Sequence, residues 1–463
     1  MSMDGTPIED HKRAADKEAV KPGPAGPKRS SFGAEAIGIA VSRFFLRFAG
    51  FIGNLIIARL LGAEGRGLIT ALTTPAAIAV TVSELGIRQS AAFHIGRGLI
   101  PTGKVVPTLF GMIPVASVIG IGASLAYFEF AGVAEGDWLL RALAVALIPL
   151  SLVSAYCTGV FLGEQRVAEF RKTNWRPAFV SLLLLIALAW GGGLGIYGAL
   201  IAPVGGAVVG AAYAIYLVSR TTPLRIGFDR TVAKQLQVKG FSYAASFIVL
   251  TLNYRIMILL LTQFSSLSEV GLYAQAILIA ELLWEIPKTL TAIVLSRAVN
   301  SKDEAAFSRK VQVLARLCFL VAVVVSVGVA VVSPFFFPLV FGPEFAGSAI
   351  VCIALLPGVA AFNVFKILNI DLSGRGKPWA AMTIMGPIFF LNIAAGWWAI
   401  ERADALGASI VSSACYVLAT IGYLLVYSRI TGFRIGEIVR YRRSDLDMLL
   451  RALPLKRFGI GRR

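Results

Sequence analysis

Arg43 and Arg47 stand one helical turn apart inside the hydrophobic run AIGIAVSRFFLRFAGFIGNLIIARL, residues 36–60, and Asn54 follows on the same face. A cation at the centre of a bilayer costs about 2.5–3.5 kcal/mol on insertion scales, so it is retained where it faces a bundle interior or a wet cavity. A guanidinium is planar, permanently charged and suited to bidentate binding of phosphate or carboxylate. The stripe therefore points to a cavity for an anion. Arg43 also has a plainer reading, snorkelling to the near interface. Three further polar groups interrupt apolar runs. Asn253-Tyr254-Arg255 is one. Glu281, Glu285 and Lys288 recur on one helix face, with Trp284 beside them and Pro287 set to kink the helix. Asn363, Lys366 and Asp371 form the third. The Glu281 cluster has two readings: a strut in which Lys288 neutralises Glu285, or a ligand or ion-coupling site. Glu84 beside Arg88 reads as a local ion pair.

The elements that hold these residues follow from composition. Hydrophobic residues make up 57% of the 463 and charged residues 15%, well below the roughly 25% charged of a soluble domain. Apolar stretches of about twenty residues, each able to cross a bilayer as a helix, recur along the chain. They fall at 36–59, 68–87, 105–128, 139–162, 177–190, 195–218, 241–262, 270–296, 313–336, 347–371, 379–400 and 405–428. Transmembrane strands would show strict alternation, which is absent. The expected fold is an all-α polytopic membrane protein of about twelve transmembrane helices, in two six-helix bundles around a central cavity.

The net charge of +18 raises nucleic acid as a partner, but its distribution argues otherwise. Most Lys and Arg lie in the tails and in every second loop. Arg59, Arg66, Arg141 and Arg402 alone lie in the alternate loops or at their margins, which instead carry Glu64, Glu129, Glu135, Asp137, Glu269, Glu344, Glu401 and Asp404. By the positive-inside rule both termini are cytoplasmic, and the protein is a multi-pass inner-membrane protein. Trp138, Trp175, Trp190, Trp379, Trp397 and Trp398 fall near span ends, as an aromatic belt requires; Trp284 lies mid-span. Residues 1–33 read as a disordered tail without a signal peptide. The basic segment 429–463 has an amphipathic stretch over 444–453 suited to anionic headgroups, or else a solvated tail. Four scattered cysteines and two histidines, His11 and His94, give no metal, redox or catalytic spacing. No Walker motif is present, and the outer loops are too short for a catalytic domain.

The chain reads as an internal duplication. Gly67-Leu68-Ile69-Thr70-Ala71 opens span two, and Gly271-Leu272-Tyr273-Ala274-Gln275 opens span eight. FLGEQR ends span four and DLSGRGK ends span ten. Six spans separate each pair, so the repeats are parallel, with a site expected between the halves. The expected division is a bundle over 34–218, a basic linker over 219–240 and a bundle over 241–428.

Three segments carry a family resemblance: VGLYAQAILIAELLWEIPKTLTAIVLSRA; PFFFPLVFGPEFAGSAIVCIALLPGVAAF with its following LSGRGKP; and ARLLGAEGRGLITAL. They resemble bacterial polysaccharide repeat-unit flippases, the Wzx-like exporters of the multidrug/oligosaccharidyl-lipid/polysaccharide superfamily. The resemblance implies export of a polyprenyl-diphosphate-linked oligosaccharide by alternating access, for O-antigen, lipopolysaccharide or exopolysaccharide assembly. It implies no cofactor and no enzymatic step, with membrane lipids and other polysaccharide-assembly proteins as partners. On that reading Arg43, Arg47, Asn54, Arg255, Trp284, Lys288 and Lys366 contact substrate, Trp284 by stacking on a sugar ring. Glu281, Glu285 and Asp371 are the acidic candidates for Na⁺ or H⁺ coupling. A cation-coupled drug antiporter of the same superfamily would want an acidic cavity. A membrane glycan polymerase or ligase would want a long outer loop.

Overall fold

The computed structural model describes residues 32–223, 225, 227–285, 287, 304–377 and 379–440. The expected tail up to Ser31, Lys288, the side chain of Arg43 and the stretch 444–453 lie outside what is described. The chain divides into two units, 1–43 and 44–463. Of the first, residues 32–43 are helical; the packing described below is that of the second.

The elements are helices throughout the described residues. They are α1 (Phe32–Glu84), α2 (Ile87–Gly96), α3 (Thr102–Phe130), α4 (Trp138–Gly163), α5 (Val167–Leu185, prolonged by a π turn to Gly191) and α6 (Gly195–Ser219). Then follow α7 (Arg230–Phe264), α8 (Leu267–Ala280, prolonged by a 3₁₀ turn Glu281–Trp284), α9 (Glu304–Val340), α10 (Gly347–Gly374), α11 (Trp379–Thr431) and the short α12 (Ile435–Val439).

Ten described segments are long and apolar enough to cross a membrane. Two of them, Leu46–Gly96 and Trp379–Thr431, run for 51 and 53 residues. As straight helices they would reach roughly 75–80 Å, more than twice the ~30 Å apolar core. α1 in the first, with α2 following it across Leu85–Gly86, and α11 in the second are each two helices joined at a break. In α1 the break is Gly62, at φ 65 and ψ −168, a conformation essentially confined to glycine. In α11 it is Ala403–Asp404. Asp404 has φ 43, and its carboxylate is held by the Ser265 hydroxyl at 2.6 Å. Twelve crossings result, as the hydropathy pattern predicts. The limbs of α1 and α11 supply spans one, two, eleven and twelve.

Helices overrun their apolar cores at several expected boundaries. α5 starts at Val167, ten residues ahead of the expected 177, because VAEFRKTNWR is helical though polar. α7 starts at Arg230, inside the expected linker, where Asp229 accepts hydrogen bonds from the Thr231 and Val232 N–H groups as N-cap. α9 runs from 304 to 340 rather than 313–336. α2 was not anticipated within its basic loop.

Lipid is as apolar as leucine, so helices associate through small side chains and close backbone approach. Large apolar residues accordingly remain on the outside: Val118, Phe130, Val331 and Phe335 are 69–76% exposed. The interior forms two cores. One joins Ile69 through Leu236, the other Ile256 through Ile438. Membership crosses between halves. Ala58 and Ala63 of α1 belong to the second core, with Phe51 and Leu55 packed on it, while Val232, Ala233 and Leu236 of α7 belong to the first. Each half therefore lends part of its first helix to the other.

Gly67 and Gly271, the pair expected to mark a repeat, form a physical joint. A Cβ at Gly67 would lie 1.7 Å from the Leu267 carbonyl oxygen, and one at Gly271 would lie 2.0 Å from that of Ala63. Leu267 stands one turn before Gly271, as Ala63 does before Gly67, so the contact is reciprocal. It lies at the end of the bundle that carries Glu64, Glu129 and Glu344, hereafter the acidic end. There the Ala63 N–H also donates to Glu344 at 2.9 Å, and Arg59 donates to the Val340 carbonyl at 2.7 Å. At the opposite, basic end a Cβ on Gly240 of α7 would lie 2.6 Å from the Leu85 carbonyl oxygen. There Glu84 and Arg88 pair at 3.2 Å, as expected.

Candidate functional site

α7 reaches its acidic-end terminus at Phe264, nine residues after Arg255. At 1.5 Å per residue Arg255 lies roughly 14 Å from that end, about the middle of the apolar core. A guanidinium at this depth needs a partner, and Glu281 on the 3₁₀ turn after α8 supplies one at 4.0 Å. The contact is at the limit of an ion pair, and the Arg255 side chain is 40% exposed. Arg47, from the first limb of α1, pairs with Glu285 directly after the same turn; the two side chains are 49% and 29% exposed. The end of α8 thus presents one carboxylate to an arginine of each half. A guanidinium carries five N–H donors, and a single carboxylate engages at most two in a fork. Both arginines keep donors for another anion.

The 3₁₀ turn interrupts the continuous helix assumed for Glu281 and Glu285. Glu281 and Glu285 serve different arginines, and the expected Glu285–Lys288 strut lies outside the described residues.

Trp284 corrects a second expectation. It is 2% exposed, and its indole N–H donates to the Val359 carbonyl of α10 at 3.1 Å. Tyr254, Phe362 and Tyr416 pack around the ring with centroids 5.3, 5.7 and 5.6 Å away. Lys366 Nζ sits 4.0 Å from its centroid. No face is left for a sugar in this conformation. Lys366, expected as a substrate contact, is embedded in the same group. It donates to Tyr254 Oη at 3.2 Å and lies 4.7 Å from the Tyr254 centroid and 5.4 Å from that of Phe362.

Asp371 corrects a third. It is fully buried and accepts hydrogen bonds from Ser308, from Tyr427 at 2.6 Å and from Arg375 at 3.2 Å. It is a cross-brace among α9, α10 and α11 rather than a free ion ligand. Asn54 turns back on its own helix, donating to the Gly50 carbonyl at 2.7 Å. Asn253 ties α7 to α11 through the Met385 carbonyl at 3.0 Å. The structure therefore brings together Arg47 with Glu285, Arg255 with Glu281, and Trp284 with Lys366, and leaves Asn54 and Asp371 outside that group. Phe362 and Tyr416 were not anticipated; aromatics on apolar faces carry no signal of a shared partner. Among the described residues no group of three His, Cys, Asp or Glu is arranged to hold a metal.

Beside the Arg47–Glu285 pair runs an apolar groove of about 590 Å³, lined by Phe51, Ile279, Leu282, Val329, Phe336 and Phe337 among others. Phe51 is one turn from Arg47 and Leu282 nearly one turn from Glu285. The ion pair and the trough thus lie within about one helical turn of each other.

Among the described residues, apolar helices broken into twelve crossings around two cores, with polar groups gathered between them, define a transporter-type membrane fold. The chain is similar to a lipid II flippase, MurJ, in an inward closed conformation: 15% identity, 92% of this chain and 94% of that one, TM-score 0.70. It is similar to an inward-facing MATE family multidrug resistance transporter of the MOP superfamily: 16% identity, 86% and 98% coverage, TM-score 0.68. It is also similar to a mutant of the Vibrio cholerae MATE transporter VcmN: 15% identity, 89% and 100% coverage, TM-score 0.53. At such identities the likeness is one of fold. The family model described as "Polysaccharide biosynthesis protein" matches residues 32–286, more than half of the chain, and the chain belongs to that family. No curated protein sequence matches it significantly.

Proposed function

We propose that the protein is a flippase that moves a polyprenyl-diphosphate-linked oligosaccharide outward across the cytoplasmic membrane by alternating access. The observation that carries this reading is the proximity of the Arg47–Glu285 pair to the apolar groove along Phe51 and Leu282. An amphiphile with a diphosphate head and a prenyl tail matches both parts. Family membership supports the polysaccharide context, and a flippase of a lipid-linked substrate shares the fold.

In this reading the diphosphate competes with Glu285 for Arg47 and with Glu281 for Arg255. It takes donors that the carboxylates leave unused, by charge-assisted hydrogen bonds. The Arg47–Glu285 pair joins the two halves, so its exchange for substrate loosens them where the head enters. The prenyl chain stays in lipid along the groove. With the cell interior negative, outward transfer of each negative charge is favoured by about 2.3 kcal/mol per 100 mV.

The test is a proteoliposome assay with a fluorescent short-chain prenyl-diphosphate sugar. The native protein should move the probe between leaflets, while Arg47→Ala and Arg255→Ala should lose about 100-fold, the order expected for a lost charged contact. Arg→Lys should recover little, because the fork is lost. Probe movement no faster than in empty vesicles would refute the function. The basic end should face the cytoplasm. Cysteines placed at Ala134, Ser266 and Gly342 should react with an impermeant thiol reagent from outside cells, and one at Ala305 should not; labelling at 305 would overturn the orientation.

A further inference from the structure

Lys366 has a task other than touching substrate. Its ammonium lies among Trp284, Tyr254 and Phe362, within 4.0–5.4 Å of their ring centroids. Tyr416 closes the cluster behind Trp284. A cation against aromatic faces gains most where water is excluded, and Trp284 and Phe362 are buried. The chain neighbours of the caged rings decide what this cluster does. Tyr254 precedes Arg255. Trp284 stands between Glu281 and Glu285, at the end of the 3₁₀ turn that begins at Glu281 and is capped by Glu285. α10 grips that turn twice, by the Val359 carbonyl on the indole N–H and by Lys366 on the indole face.

We propose that Lys366 is a positioning residue for the anion site: by clamping Trp284 and Tyr254 it fixes where Glu281, Glu285 and Arg255 are presented. The proposal rests on the reading of Arg47 and Arg255 as the anion grip. A ring that turns on the 3₁₀ axis would carry both carboxylates away from their arginines. The clamp therefore sets how strongly each carboxylate competes with an incoming anion. Lys366 acts through Trp284 and makes no contact with the diphosphate.

The experiment uses the purified full chain, with farnesyl diphosphate as probe. Lys366→Met keeps the stem and removes the charge, while Lys366→Arg keeps a cation for the rings. Two quantities are read: probe affinity by calorimetry, and the Trp284 emission, taken as the difference between each variant and the same variant carrying Trp284→Phe. Lys366→Met should change affinity by about tenfold, as expected for loss of a desolvated cation–π contact, and should shift the Trp284 emission. Lys366→Arg should stay within about threefold and keep the native emission. An affinity change without an emission shift would make Lys366 a direct ligand and overturn the proposal; so would no change in either quantity. If Lys366→Met does not yield folded protein, Tyr254→Phe removes only the hydrogen bond to Nζ. It should then change affinity by about threefold with a smaller emission shift, and no change would again overturn the proposal. A native chain that fails to bind the probe would remove the anion grip itself. The emission arm then decides alone: a shift with Met that Arg reverses upholds the clamp, and no shift overturns it.

Discussion

The two cores meet along two lateral seams, and the seams differ. On one, α3 faces α7. Tyr127 donates to the Leu259 carbonyl at 2.9 Å, and this crossbar stands where two grooves of about 160 and 430 Å³ meet. A close approach of Gly240 to Leu85 tightens the same seam at the basic end. On the other, the first limb of α1 faces α8 and α9. There the groove of about 590 Å³ lines one face, and the polar link beside it is the exposed Arg47–Glu285 pair. A hydrogen bond to a backbone carbonyl within an apolar surround has few competitors in lipid. An ion pair half open to its surroundings can be exchanged for another anion. On the proposed function, the contrast separates a seam that stays shut from one that admits a ligand.

The largest expected effect comes from the joint that both seams share. Gly271→Ala or Gly67→Ala puts a methyl where a carbonyl oxygen already stands. Overpacking of this kind costs about 3 kcal/mol or more, roughly a 100-fold shift in population. The acidic end should spring open. A cysteine at Ala63, buried at 3% in the native chain, should become reactive; unchanged protection would show that the joint yields without separating.

Glu285→Gln is expected to act next most strongly, and in the opposite sense from loss of Arg47. It frees the guanidinium while keeping its shape, so prenyl-diphosphate affinity should rise about threefold to tenfold. Weaker binding would make the carboxylate part of the binding site rather than a competitor. Tyr127→Phe is the mildest. It removes one hydrogen bond, worth about 0.5–1.5 kcal/mol, and should raise lipid-side labelling of a cysteine at Leu260 a few-fold. If it instead abolishes transport, the crossbarred seam is the mobile one.

Much of this arrangement was legible in the sequence, and for definable reasons. Span count came from hydropathy, because a bilayer imposes length and apolarity on each helix. The breaks at Gly62 and Asp404 fall where acidic loops interrupt apolar runs. Gly67 and Gly271 stood out as matching glycines, though nothing in the sequence said that their backbones touch. Arg47 and Arg255 stood out by the cost of a buried cation. Their partners could not be read with equal force, since Arg47 and Glu285 are separated by 238 residues, about half of the chain. Trp284 misled because an indole flanked by carboxylates fits a sugar platform as well as it fits a packed core. The buried ring is specified by Val359, Phe362 and Tyr416, whose types are unremarkable in apolar helices. Asp371 misled likewise, since Ser308 and Tyr427 come from helices remote in sequence. α2 and the early start of α5 escaped because polar helix at an interface leaves no apolar signature.

The exchange of first helices between cores bears on how the chain is made. The limb of α1 that carries Phe51, Leu55 and Ala58 packs on a core assembled from residues 256–438. At translation rates of about 5–20 residues per second, that partner follows tens of seconds after the limb has left the ribosome. Until then the first limb waits in the membrane without most of its packing surface, its arginine stripe unmatched by Glu285. The amino-terminal half cannot be a finished folding unit on its own, and assembly is committed only once α8 has been inserted.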